Sequence, residues 1–175
     1  MMETLVRDRA GALWAKVDQA EREIVERFIG QRPVKVGELA EALGIKVTRS
    51  PMAPRISGLI RRSAATRSGF EIAVNKYEMP ERQRFTVAHE IGHYLLHRND
   101  IGAEGVVDSI MYRSNLGSRK ETEANQIASA IVMPAEILSG DLAELGGLGT
   151  PGIVEELAER YRVSEPAMRI RLGMS

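Results

Sequence analysis

Between Pro80 and His97 the sequence carries Phe85, Ala88, Ile91 and Leu95 or Leu96 at helical intervals, and inside the same run two histidines, His89 and His93, stand four residues apart. Residues at that separation lie on one face of an α-helix, one turn apart, so the two imidazoles can point at a common ion. A helix built this way must pack its apolar side on a core and offer its polar side to a second element. Pro80 suits a first helical turn, where its missing N–H has no intrahelical partner to lose. All three histidines of the chain fall between His89 and His97, and Gly92 leaves room for a close neighbour.

The residues from His89 to His93 read H-E-x-x-H, and Glu90 projects beside the histidine face, where it can reach an attacking water as general base without coordinating the metal. A catalytic zinc takes a third protein ligand and keeps one position open. The chain contains no cysteine, so that ligand must be a histidine or a carboxylate. Continuing the helix carries His97 away from an ion held by the first pair, and it reads as a C-terminal cation favourable to the helix dipole. A second helical pattern runs from Arg119 to Met133 and stops before Pro134. On it Glu121 shares a stripe with Ala124, Asn125, Ala128 and Val132, whereas Glu123 lies off that stripe and reads as solvated. Glu121 is therefore the favoured third ligand, and Asn125, one turn later, can hydrogen-bond the other nitrogen of a ligand histidine.

Elsewhere the pattern is that of an ordinary globular chain of 175 residues, 43 % hydrophobic and 27 % charged. Helix formers extend from about Thr4 to Ile29 as one helix or two, and Val36 to Leu43 forms a short helix stopped by Gly44. Lys46 to Met52, Ile56 to Arg62 and Phe70 to Asn75 read as strands, most simply joined as a three-stranded antiparallel sheet. Phe70 to Asn75 offers an edge along which an extended segment can pair. Asn99 to Ser118 reads as a long loop, and Gly140 to Gly149 as a flexible connection. Pro151 then opens a helix to Tyr161, and Ser164 caps a last one to Leu172. The expected class is α+β, with an N-terminal helical segment at 1–33, a main domain at 34–139 and a C-terminal helical hairpin at 140–175 packed on it.

The string Arg84-Phe85-Thr86-Val87-Ala88-His89-Glu90-Ile91-Gly92-His93-Tyr94-Leu95-Leu96-His97, followed by Glu121-Thr122-Glu123-Ala124-Asn125 and Val132-Met133-Pro134, resembles the ImmA/IrrE metallopeptidases. The likeness extends more loosely upstream, to about Val34. It implies a zincin-type helical core and a site similar to that of the gluzincins, with His89, His93 and Glu121 as ligands of one zinc, Glu90 as the base and Asn125 behind the ligands. Ligand chemistry of this kind admits manganese or iron as well. The resemblance also implies a protein substrate, commonly a helix-turn-helix repressor whose cleavage relieves repression of stress-response or mobile-element genes. An oxyanion donor is to be sought among Tyr94, Tyr112, Arg113 and His97.

Two rival readings are a metal-containing module that binds without cutting and a DNA-binding regulator. The segment from Leu157 to Arg169 has the look of a helix-turn-helix hairpin, with Arg160, Arg162, Arg169 and Arg171 in or beside it. Glu155, Glu156 and Glu159 offset those arginines, which favours a hairpin that closes the core. Formal net charge is zero, with 24 basic and 24 acidic residues, so no global field holds the chain on phosphate or on an anionic membrane. The N-terminal stretch is interrupted by Glu3, Arg7, Asp8 and Arg9 and lacks the apolar centre of a signal peptide or membrane span, so a cytoplasmic location is the default expectation.

Overall fold

The longest helix, α4, runs Pro80–His97 with Pro80 and Glu81 in its first turn, and it buries every residue from Thr86 to Leu95. The computed structural model describes residues 6–109 and 116–174. Before α4 come three short helices, α1 (Gly11–Trp14), α2 (Gln19–Glu26) and α3 (Val36–Ala42), and three strands, β1 (Lys46–Ser50), β2 (Ile56–Arg62) and β3 (Phe70–Asn75). After it come β4 (Val106–Ser109), α5 (Ser118–Val132), α6 (Ala135–Glu144), α7 (Ile153–Tyr161) and α8 (Glu165–Leu172). Of the one or two helices expected at the N-terminus the structure has two, and Asp18 caps the second, its carboxylate accepting from the backbone of Ala20 at 3.0 Å and Glu21 at 3.4 Å.

The α+β class holds, but the sheet is four-stranded and mixed, in the order β1-β3-β2-β4, rather than three-stranded and antiparallel. β2 and β3 form the expected antiparallel pair, with Ile60 opposite Ile72. β1 joins the other edge of β3 instead of pairing with β2, and by direction parity it lies parallel there, Val47 opposite Ile72. The buried Asn75 side chain holds this crossing by donating to the carbonyls of Ile56 at 2.8 Å and Ala53 at 3.2 Å, which ties the β1–β2 connection to the end of β3. β4 arises inside the segment read as a loop and pairs with β2, Leu59 opposite Val107. At four residues it is too short to show a period. β3 is consequently an interior strand and offers no edge; the edges are β1 and β4.

α4 lies across β2 and β3, and α5 packs along α4. Gly58 of β2 sets the first distance, because a Cβ there would meet Thr86 Cγ2 at 2.6 Å and Ala73 O at 2.8 Å. The C-terminal part also departs from expectation, since α6 begins directly after Pro134 and runs through Gly140, which moves the connection to residues 145–152 before α7. The buried Asp141 of α6 accepts from the Tyr161 hydroxyl at 2.7 Å and pairs with Arg32, so α6, α7 and the segment before α3 share one polar contact. No helix among the described residues is long and apolar enough to cross a membrane.

The helices approach closely at Gly92, where an added Cβ would sit 2.9 Å from Ala124 O and 3.1 Å from Ala124 Cα. Those are backbone atoms of α5, which cannot rotate aside. Gly92→Ala is expected to destabilise the fold by about 1–3 kcal/mol despite the better helix propensity of alanine. A thermal unfolding midpoint equal to or above that of the parent would show that the two helices separate without cost.

Candidate metal centre

The approach of α5 to α4 brings three side chains together. Glu121 Oε2 lies 3.2 Å from His89 Nε2 and Oε1 lies 3.1 Å from His93 Nε2. The candidate donor atoms of His89, His93 and Glu121 all fall within 4.8 Å of one another. Both histidines are buried, and Glu121 retains 17 % of its side-chain exposure, so the cluster meets solvent on the Glu121 side. Glu90, also fully buried, follows His89 on the same turn of α4.

Hydrogen bonds behind the rings decide what the Nε2 atoms present. His89 Nδ1 lies 2.9 Å from Asn125 Oδ1, an acceptor, so the ring proton sits on Nδ1 and the Nε2 lone pair faces Glu121. His93 Nδ1 lies 3.0 Å from His97 Nδ1, and His97 Nε2 lies 2.8 Å from Glu123 Oε2. Because a carboxylate accepts, His97 carries its proton on Nε2 and receives the Nδ1 proton of His93 at its own Nδ1. Burial lowers the His93 pKa despite the raising influence of Glu121, which favours the neutral ring. Two imidazole lone pairs and a carboxylate therefore face one point, and an array of acceptors at that spacing suits a divalent cation.

The structure brings His89, His93, Glu121 and Asn125 together, and Glu90 is buried next to His89 on α4. It places two further residues differently from the sequence reading. His97 is 4 % exposed and hydrogen-bonded to His93 rather than standing as a cation for the helix dipole. Glu123 is only partly solvated: its side chain is 15 % exposed, and the hydrogen bond from His97, with help from Lys16 and Arg119, holds its pKa below the usual carboxylate range. The spacing of His93 and His97, again four residues, was the available signal. Glu123 directly precedes Ala124, the residue against Gly92, and its long side chain reaches round to α4.

Among the suggested oxyanion donors, Tyr94 points away from the cluster, its hydroxyl donating to Glu21 at 2.9 Å. Burial and Glu21 push its pKa up to about 12. Tyr112 and Arg113 lie outside the described residues. On the far side of Asn125 a cleft is lined by Phe85, Ser129, Val163, Ala167 and Ile170, so the C-terminal hairpin borders the same helix pair.

A family model described as the IrrE N-terminal-like domain matches residues 40–173. The chain belongs to this family. Two curated relatives are each named radiation response metalloprotease IrrE. The protein from Deinococcus radiodurans is 39 % identical over 93 residues, which is 53 % of this chain and 27 % of that one. The protein from Deinococcus deserti is 40 % identical over 94 residues, 53 % of this chain and 32 % of that one. The match thus spans about a third or less of either relative. A solved structure described as a Mycobacterium tuberculosis transcriptional regulator superposes with a TM-score of 0.57 at 19 % identity, covering 93 % of this chain and 49 % of that one, a likeness of fold.

For a divalent ion at this IrrE-like cluster, Glu121→Gln is expected to weaken zinc binding more than about 100-fold, beyond what changes behind a ligand usually cost. Glu123→Gln, which keeps an acceptor, is expected to cost less than about 10-fold. Competition with a chromophoric chelator measures both, and the reverse order would move the third ligand to Glu123.

Proposed function

We propose that this chain is a zinc-dependent endopeptidase that hydrolyses a peptide bond in a protein substrate, with His89, His93 and Glu121 holding the metal and Glu90 as general base. The observation that carries the reading is the convergence of both Nε2 atoms and the Glu121 carboxylate on one point, with Glu90 on the same turn as His89. The relatives named metalloprotease support it. When bound, such an ion supplies Lewis-acid chemistry at a carbonyl and makes water nucleophilic near neutral pH.

The residues of the chain do the rest. His89 and His93 are held with Nε2 forward by Asn125 and His97, so the donor set is oriented before any ion arrives. Glu90 takes the proton of the attacking water and returns it to the departing amine, which leaves a carboxylic acid and an amine as products. Burial of Glu90 keeps that proton from exchanging freely with bulk solvent. An extended substrate that pairs with the sheet needs an edge strand, and among the described strands the edges are β1 and β4, not β3.

The preferred substrate is a helix-turn-helix repressor, an assignment that rests on family resemblance. The regulator reading is weakened by how the basic residues of the hairpin are used. Arg171 donates to the carbonyls of Met133 and Arg7 at 3.0 Å each, and Arg160 pairs with Glu156 and Asp141 at 3.4 Å. These arginines are engaged within the fold rather than aligned for phosphate.

Glu90→Gln is expected to retain about one zinc per chain by elemental analysis while cleaving a cognate repressor about 10²–10⁴-fold more slowly. Equal derepression by the parent and the variant would end the peptidase reading. Tight duplex-DNA binding that falls steeply with salt would favour the regulator instead.

A further inference from the structure

We propose that His97 and Glu123 are positioning residues for the metal centre, forming a hydrogen-bonded relay that fixes the ring of His93; the assignment rests on the metal reading above. The relay runs from Glu123 Oε2 to His97 Nε2 at 2.8 Å and from His97 Nδ1 to His93 Nδ1 at 3.0 Å. A proton on His97 Nε2 leaves its Nδ1 as the acceptor, so His93 must donate from Nδ1 and keeps its Nε2 lone pair for the ion. The relay therefore selects both the tautomer and the direction of one ligand.

Two features distinguish this from a polar pair that merely fills space. The His93 and His97 rings are tilted at 53° with centroids 5.2 Å apart, so they meet edge to edge through nitrogen instead of stacking. Both rings are almost wholly buried, so water does not compete for the Nδ1 contact. The anchoring carboxylate is in turn held by Lys16 at 3.7 Å and Arg119 at 3.3 Å. Those contacts fix the negative end of the relay from outside the metal cluster. The two ligand histidines thus have unequal support, one amide behind His89 and an imidazole–carboxylate pair behind His93. Carboxylate-backed histidines bind metal more tightly because the distant charge raises the basicity of the ligand nitrogen.

The test uses full-length apo protein titrated with cobalt(II), reading the visible ligand-field band and, by chelator competition, zinc affinity. His97→Leu and Glu123→Ala are expected to lower affinity about 10–100-fold and to shift the cobalt band, while Glu123→Gln recovers most of the loss because an acceptor remains in place. Glu123 lies at the solvent edge, so if His97→Leu fails to fold, Glu123→Ala carries the test. Its apo unfolding midpoint, measured alongside, is expected to stay near that of the parent. Affinity and spectrum unchanged in Glu123→Ala would overturn the relay, as would Glu123→Gln proving as damaging as Glu123→Ala. A parent chain that takes up no cobalt or zinc would overturn the metal reading and this assignment with it, whereas parent binding with unaltered variants overturns the relay alone.

Discussion

The contact between Gly92 and the backbone of Ala124 sets everything at the site. Here α4 meets the α5 backbone so closely that even a methyl group would not fit between them. From that point Glu121 lies one turn back along α5 and meets His89 and His93, Asn125 lies one residue on and meets His89, and Glu123 reaches His97. A wider spacing would leave the carboxylate short of both imidazoles at once. Donor geometry is therefore a property of helix packing more than of any single side chain. Gly58 performs a comparable service on the opposite side, seating α4 against the sheet.

The N-terminal segment supports α4 from behind. Glu21 of α2 accepts from Tyr94 and pairs with Arg98, and the Tyr94 ring packs edge-on against Phe70 of β3. Tyr94 follows His93 in sequence, so this anchorage holds the same turn of helix whose other face carries the histidine. Lys16 reaches Glu123 from the same segment. The helix that bears the chemistry is thus clasped by sheet, α5 and the N-terminal helices together.

How much of this could be read beforehand depended on where the information lies. α4 and α5 were legible because each repeats an apolar period over several turns, and that period put His89 and His93 on one face and favoured Glu121 over Glu123 as their partner. β4 was not legible, because four residues show no alternation and its pairing is decided by β2, some fifty residues earlier in the chain. The position of β1 beside β3 was hidden for the same reason: local pattern marks a strand but not its neighbour. α6 was masked by Pro134 and Gly140, which read as breakers although the first precedes the helix and the second has open space around it. His97 and Glu123 were misplaced because both look like ordinary terminal charges until α5 is laid against α4. Their burial is a tertiary fact.

The donor set has one more consequence. Imidazole nitrogens and a carboxylate oxygen converge here in a chain with no cysteine. Thiolate sites lose their metal when sulfur is taken stepwise to sulfenic and sulfinic acids, or is closed into a disulfide. Nitrogen and oxygen donors stand off that ladder. An ion held by these donors would be gripped according to protons and helix spacing, indifferent to the thiol redox poise of its surroundings.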